Sequence, residues 1–298
     1  MKRKVLVTGA GGFIGKETIP FLLDEGYEVH AISQKKGDDR VIFHSCDLLN
    51  AEGTAALLEK VAPTHLLHLA WITRPELYLT SPLNLDWVEA SIRLVRLFVQ
   101  NGGGKVVISG SCAEYESAPL CIEDETPFRP STFYAECKRN LYLILEKASR
   151  ALGFELGWGY LFHLYGPHEK QNRFLPTVIR GILQKKEVLL TEGVQIRDFL
   201  HVRDAARALA LLLRDRVQGC FNIASGEGIS IRRMVEIAAK KMGGSELLRF
   251  GARPLSPFDP PSIGAKITKI QSAIPWSPTF TLEQGLSETI QWWRCQTV

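Results

Sequence analysis

Through residues 1–165, short apolar runs alternate with longer stretches whose apolar positions recur at helical spacing. Val5-Leu6-Val7 and residues 28–32, 41–43, 65–69, 105–109 and 156–162 read as strands. A helix follows the glycine-rich segment after the first strand and stops at Gly26, and others are predicted over 51–61, 84–101 and 132–152. Strands alternating with helices predict an α/β chain built on a doubly wound parallel sheet. Beyond residue 165 the texture changes: Pro167, Pro176, Pro254, Pro257, Pro260, Pro261, Pro275 and Pro278 punctuate shorter elements. Residues 166–298 are therefore expected to form mainly a smaller C-terminal substrate-binding lobe over the carboxyl edge of the sheet, where ligands bind in such folds. The segment 198–215 is expected to return to the first lobe, 1–165. Leu282, Leu286, Ile290 and Trp293 mark a last helix with an ordinary core-facing stripe.

Composition narrows the class. The 298 residues are enough for a sizeable core. Met1-Lys2-Arg3-Lys4 runs straight into a strand pattern without the apolar region of a signal peptide, and no apolar run reaches the roughly 18 residues of a membrane span. The net charge of +4 is spread among acids, which points away from nucleic acid but suits a phosphorylated substrate. Six cysteines without metal-ligand spacing read as reduced thiols, so a cytoplasmic enzyme without a metal is expected.

Two segments carry the chemistry. Gly9, Gly12 and Gly15 lie three apart in a strand-to-helix turn that also contains Phe13 and Ile14. One glycine makes the tight turn, one admits a pyrophosphate to backbone amides, and one lets helix and strand pack closely, with the helix N-terminus facing the anion. A dinucleotide is the expected ligand. An acid at the end of the second strand would bond the adenosine ribose and repel a 2′-phosphate. This chain has Ser33-Gln34-Lys35-Lys36 there, which favours NADP, with NAD as the alternative. Asp47 and Leu48 are placed for adenine, while Leu69, Ala70 and Trp71 pass under the cofactor. The second segment is Tyr134-Ala135-Glu136-Cys137-Lys138. On a helix, residues four apart point the same way, and a lysine ammonium near a phenol favours the phenolate. The pair can trade a proton where a hydride reaches or leaves an alcohol carbon.

In order along the chain stand residues 8–15, Asp47-Leu48, His68-Leu69-Ala70, Ser109-Gly110-Ser111-Cys112-Ala113-Glu114-Tyr115, Tyr134 to Lys138, Tyr165-Gly166-Pro167, Arg197-Asp198-Phe199-Leu200-His201-Val202 and Pro275-Trp276-Ser277-Pro278. This series resembles the extended short-chain dehydrogenase/reductases of the NAD-dependent epimerase/dehydratase group, which act on nucleotide-diphosphate sugars from a Rossmann sheet. The resemblance implies a catalytic set of Ser111, Tyr134 and Lys138. Ser111 would hold the sugar oxygen, Tyr134 would be the general acid or base, and Lys138 would bond the nicotinamide ribose. It further implies Phe162 on the cofactor side, His163 where the group often places a substrate-touching asparagine, Arg173 and Arg197 toward the diphosphate, and Arg253 at the opening of the segment that closes over the nucleotide. It also implies a homodimer through the helix carrying Leu141-Tyr142-Leu143-Ile144-Leu145, together with Trp87, Leu94 and Phe98 of the preceding one.

Two departures matter. The group's sugar 4,6-dehydratases follow the hydroxyl residue with an Asp-Glu pair, and here Cys112 and Ala113 occupy those positions. Cys112 is expected to pack beneath the sugar, and Glu114, one position later, to point elsewhere. The expected activity is NADP(H)-dependent reduction of a nucleotide-diphosphate 4-keto-6-deoxy sugar. The alternatives are a 4-epimerase with tightly bound NAD, a dehydratase, and a non-catalytic dinucleotide sensor.

Overall fold

Seven parallel strands form the central sheet of the computed structural model, which describes residues 3–33, 38–256 and 259–296. Strands β1 (Lys4–Thr8), β2 (Glu28–Ile32), β3 (Ile42–His44), β4 (His65–His68), β5 (Lys105–Ser111) and β6 (Glu155–Leu161) make up most of it. Strands β7 (His163–Tyr165), β8 (Val188–Leu189) and β9 (Ile196–His201) lie outside it, and β10 (Gly219–Ile223) returns to its edge. The sheet order is β10-β6-β5-β4-β1-β2-β3. The order reverses between β1 and β4, which opens a crevice at their carboxyl ends.

Helices α1 (Phe13–Asp24), α2 (Ala51–Val61), α3 (Leu83–Gln100), α4 (Phe133–Leu152), α5 (Phe174–Leu183), α6 (Val202–Leu212), α7 (Ile231–Met242), α8 (Thr268–Ala273) and α9 (Leu282–Gln296) complete the layers. Successive strand side chains point to opposite faces, so β1 serves two cores. Leu6 packs with Leu58, Leu94, Phe98, Leu141 and Leu145 of α2, α3 and α4. Val5 and Val7 pack with Ile19, Leu22, Leu209, Leu212 and Ile270 of α1, α6 and α8. Each fully buried leucine contributes about 1.5–3 kcal/mol relative to exposure. The α4 helix starts where Thr132 Oγ1 accepts the Ala135 N–H at 3.2 Å and ends at Gly153, whose φ of 74° is left-handed.

The remaining strands, β11 (Gly228–Ser230), β12 (Leu248–Arg249) and β13 (Ser262–Ile263), build two small sheets: β11-β9-β13 with β7 alongside β9, and β12-β8. They pack with α5, α7 and α9 around Leu175, Ile179, Met234, Leu286 and Ile290. Element ends moved by a residue or two from the sequence reading. The strand read at 41–43 is Ile42–His44, and the one read at 156–162 stops at Leu161. Strand β10 was not foreseen. Its Asn222 side chain accepts the Tyr115 hydroxyl at 2.9 Å and donates to Cys121 O at 3.0 Å, tying the edge strand to the segment after β5.

Candidate active site

The glycine turn sits at the mouth of the crevice. Gly9 has a φ of +69°, and a Cβ there would lie 2.9 Å from Ala70 N, so only glycine lets β1 and the end of β4 approach this closely. A Cβ at Gly15 would lie 2.4 Å from Gly9 O and 2.6 Å from Ala10 Cα, backbone atoms that cannot swing aside. Gly12 N–H donates to Gly9 O at 3.0 Å and closes the turn. A cavity of about 750 Å³ opens beside it, lined by Gly9, Gly11, Gly12, Lys16, Ser33, Asp38, Phe43, Cys46 and His168 among others. A second, of about 420 Å³, is lined by Gly9, Ile32, Ser45, Cys46, Asp47, Leu48, Ala70 and Trp87. A glycine cradle at a helix N-terminus, flanked by two cavities, fits a dinucleotide.

The turn is braced by a buried relay. Thr8 Oγ1 accepts the Leu69 and Ala70 N–H groups at 3.1 and 3.2 Å, so its hydroxyl proton is left for His68 Nδ1 at 2.7 Å. His68 is therefore neutral with its proton on Nε2, which donates to Ser91 Oγ at 2.8 Å, and Ser91 donates to Trp87 O at 2.6 Å. Burial, aided by the Lys138 charge, pushes His68 down to about 3. The unfolded chain takes up that proton near 6.5, the folded chain only near 3. Stability from this site is thus complete above pH 6.5 and is lost as pH falls toward 3, with a slope of about 1.4 kcal/mol per pH unit. Urea midpoints measured from pH 7 to pH 5 should fall accordingly. In His68→Gln the dependence should be shallower by about 1.4 kcal/mol per pH unit, the remainder coming from other depressed histidines such as His163, and a slope unchanged from the unmutated protein would clear this residue.

Among the other cofactor candidates, Phe13 and Ile14 open α1 half-buried, Leu69 and Ala70 follow β4, and Phe162 is buried directly after β6. Trp71 donates from Nε1 to Asn84 Oδ1 at 2.8 Å. Asp47 accepts the Leu49 N–H at 3.0 Å and so shapes the turn that holds Leu48. Gln34, Lys35 and Lys36 lie outside the described residues. Lys16, Asp38, Cys46 and His168 line the larger cavity without having been singled out. Lys16 follows Gly15 directly, and His168 follows the Tyr165-Gly166-Pro167 segment, the only local signals for them.

Ser111, Tyr134 and Lys138 come together. The Ser111 side chain hydrogen-bonds the Tyr134 phenol and also accepts the Ala113 N–H at 3.2 Å. Burial raises the phenol above its ordinary value, and the Ser111 bond works against that. The Lys138 ammonium is buried, donates to Ser109 O at 2.9 Å and lies 3.9 Å from the Trp71 ring centroid. It faces the Ser109 carbonyl and an aromatic face, and burial lowers its pKa. The Tyr134 ring packs edge-on against Trp71 and Tyr78. Cys112 is buried and its thiol is pushed up to about 12 by that burial, which leaves it unreactive.

Glu114 points into the protein: it is fully buried and accepts the Ser111 N–H at 2.9 Å and the Trp158 Nε1–H at 3.4 Å. On the substrate side, His163 Nδ1 is buried without a hydrogen-bond partner, and desolvation followed by the Arg197 charge pushes the ring down to about 3. Arg197 is buried; its guanidinium pairs with Asp259 and donates to Pro260 O at 2.6 Å and Ile196 O at 2.7 Å. Arg173 donates to Thr73 O at 3.3 Å, and Arg253 is exposed, its N–H on Leu190 O at 3.0 Å. Among the described residues no helix is long and apolar enough to cross a membrane, and no group of three or more His, Cys, Asp or Glu could hold a metal ion.

A doubly wound sheet with a glycine cradle at its switch point and a Ser-Tyr-Lys cluster at the mouth defines an enzyme of the short-chain dehydrogenase class. The NAD dependent epimerase/dehydratase family profile matches residues 5–224, and the chain belongs to that family. It is 25% identical to a UDP-glucuronate 4-epimerase of Thermodesulfobacterium geofontis over 96% of this chain and 95% of that one. Among solved structures it resembles the UDP-glucose 4-epimerase of Thermus thermophilus in complex with NAD, with a TM-score of 0.88, 25% identity and 98% and 99% of the two chains covered. It also resembles the UDP-N-acetylglucosamine 4-epimerase of Methanobrevibacter ruminantium in complex with UDP-N-acetylmuramic acid, with a TM-score of 0.89, 26% identity and coverage of 99% and 100%.

Proposed function

We propose that the protein is an NADP(H)-dependent reductase of a nucleotide-diphosphate 4-keto-6-deoxy sugar. The observation that carries this reading is the Ser111–Tyr134 hydrogen bond beside the glycine cradle, with Cys112 and Ala113 supplying no carboxyl for an elimination. The bound nicotinamide would supply the hydride. Tyr134 donates its proton to the sugar oxygen as that oxygen gains charge, and Ser111 stabilises the phenolate left behind. Lys138, held by Ser109 O, presents its remaining donors to the cofactor ribose. Residues 1–165, with 198–215, take the dinucleotide and residues 166–298 the sugar nucleotide. His163 stands on the substrate side, Arg173 serves the diphosphate, Arg253 opens the segment over the nucleotide, and Arg197 is held by Asp259.

The cofactor assignment rests on Ser33 in the cavity wall and on the missing acid at the end of β2. Asp38 also lines the cavity, but its carboxylate is bound by Arg40 at 2.6 Å, which offsets its charge against a 2′-phosphate. Fluorescence titration should show tighter binding of NADPH than NADH, and Ser33→Asp should weaken the preference by setting a carboxylate against the phosphate. Equal affinities in the unmutated protein would reject the assignment. The second reading, a 4-epimerase with retained NAD, is favoured by the names of the relatives. It predicts co-purified NAD and no net NADPH oxidation with any nucleotide-linked ketosugar.

Leu94, Phe98, Leu141 and Leu145, expected at a dimer face, are instead buried in the core against the sheet, which leaves Leu143 and Ile144 of α4 and Leu85 of α3 as the exposed apolar surface that suits a homodimer. Four of the six free cysteines are buried, and all six suit a reducing cytoplasm. Light scattering on the sample used for titration should report twice the chain mass.

A further inference from the structure

We propose that Asn84 is a positioning residue for this site: its side-chain amide locks the Trp71 indole, whose face seats the Lys138 amine against Ser109 O. The inference deepens the proposed Ser111–Tyr134–Lys138 machinery and rests on that assignment.

Asn84 stands in the first turn of α3 and is 0% exposed. Its Oδ1 accepts the Trp71 Nε1–H at 2.8 Å, while Nδ2 donates to Tyr78 O at 2.8 Å and to Ser81 O at 2.9 Å. An indole N–H only donates and a backbone carbonyl only accepts, so a single orientation of the amide satisfies every partner. In a site closed to water each of these bonds is costly to break, because a donor or acceptor is then left with nothing. A role confined to starting α3 would need only the bond to Ser81. The bonds to Trp71 and Tyr78 reach the reacting groups.

Lys138 Nζ lies 3.9 Å from the Trp71 ring centroid and donates to Ser109 O at 2.9 Å. An aromatic face and a carbonyl together give the end of a flexible stem one place to rest. The Trp71 ring has its own packing against Trp87, at 6.2 Å between centroids, and only its N–H bond to Asn84 fixes how it is turned. Tyr78 is held by its carbonyl through the same amide. Its ring lies 5.1 Å from that of Tyr134, and the next carbonyl, Leu79 O, accepts the Tyr134 N–H at 3.0 Å. One side chain of α3 thus braces what surrounds both Lys138 and Tyr134 while touching neither. Without the amide, the indole N–H is buried with no acceptor. The ring turns to find one, and the amine loses its seat.

Lys138 reports that seat itself. Protons over an indole face are shifted upfield by its ring current, whatever the charge on the amine. In full-length protein labelled with ¹³C-lysine, the Lys138 ε-methylene signal is the one missing from Lys138→Met, and it should lie upfield of the ordinary lysine range. In Asn84→Ala it should return to that range, and NADPH and NADH should each bind about threefold to tenfold more weakly. A signal that stays upfield, or affinities that stay unchanged, overturns the proposal. Neither substrate nor turnover enters the measurement, so an unmoved signal leaves the proposed reaction standing. Unchanged dinucleotide affinity in Lys138→Met overturns instead the assignment on which the proposal rests. Should Asn84→Ala not fold, Asn84→Ser is measured in its place. Serine suits the start of a helix, but its hydroxyl stops short of the indole. The same return of the Lys138 signal is expected, and its absence again overturns the proposal.

Discussion

Tyr134→Phe should lose turnover by about 10²–10⁴-fold while the protein remains folded and binds its dinucleotide. The ring keeps its edge-on contacts with Trp71 and Tyr78, and the backbone keeps its hydrogen bond from Tyr134 N–H to Leu79 O at 3.0 Å. Only the hydroxyl and its bond to Ser111 disappear, a loss of about 0.5–1.5 kcal/mol in stability. A thermal melt and a cofactor titration beside the rate assay separate these effects. Near-full activity in Tyr134→Phe, with loss of activity in Glu114→Gln or Cys112→Ala, would move the proton path elsewhere and favour an elimination or epimerisation.

Gly15→Ala should be strongly damaging to both fold and cofactor binding. In an ordinary helix this change stabilises by about 0.5–1 kcal/mol. Here the new Cβ meets Gly9 O at 2.4 Å and the Ala10 backbone at 2.6 and 2.8 Å. Either α1 moves off β1 or the turn opens. Overpacking of this kind costs about 1–3 kcal/mol or more, and each 1.4 kcal/mol lost from the binding geometry is about tenfold in affinity. Gly53→Ala in α2 is the matched control, because its Cβ would meet only the Asn50 side chain, at 3.6 Å and beyond. Denaturant midpoints of the two variants should move in opposite directions, and in NADPH titration only Gly15→Ala should weaken binding.

The parts legible in the sequence are those set by local chemistry. The glycine turn, the helix start at Thr132, its end at Gly153 and the parallel alternation of the first six strands all follow from propensity and spacing. What escaped depends on residues far apart. Strand β10 pairs with β6 across some sixty residues, and a short run such as Gly219-Cys220-Phe221-Asn222-Ile223 carries no periodicity that would announce it. Glu114 reads as an acid turned away from the sugar, and its burial depends on Gly110 and on Trp158, 44 residues on, which enclose it. Arg197 reads as a free cation for a diphosphate, yet Asp259, 62 residues later, already holds it. Ion pairs across such distances are set by tertiary packing and leave no local trace.

The central claim is that net reduction occurs at this site with Tyr134 supplying the proton. The most direct test incubates the protein with NADPH deuterated at the transferring position and a nucleotide-diphosphate 4-keto-6-deoxy sugar, then weighs the sugar product by mass spectrometry. One deuterium on the sugar carbon with oxidised NADP released in equal amount, abolished in Tyr134→Phe, is the predicted result. Recovery of the ketosugar unlabelled, with the deuterium still on the cofactor, would contradict it; inversion of a 4-hydroxy nucleotide sugar by the same protein without added NADPH would then make it an epimerase.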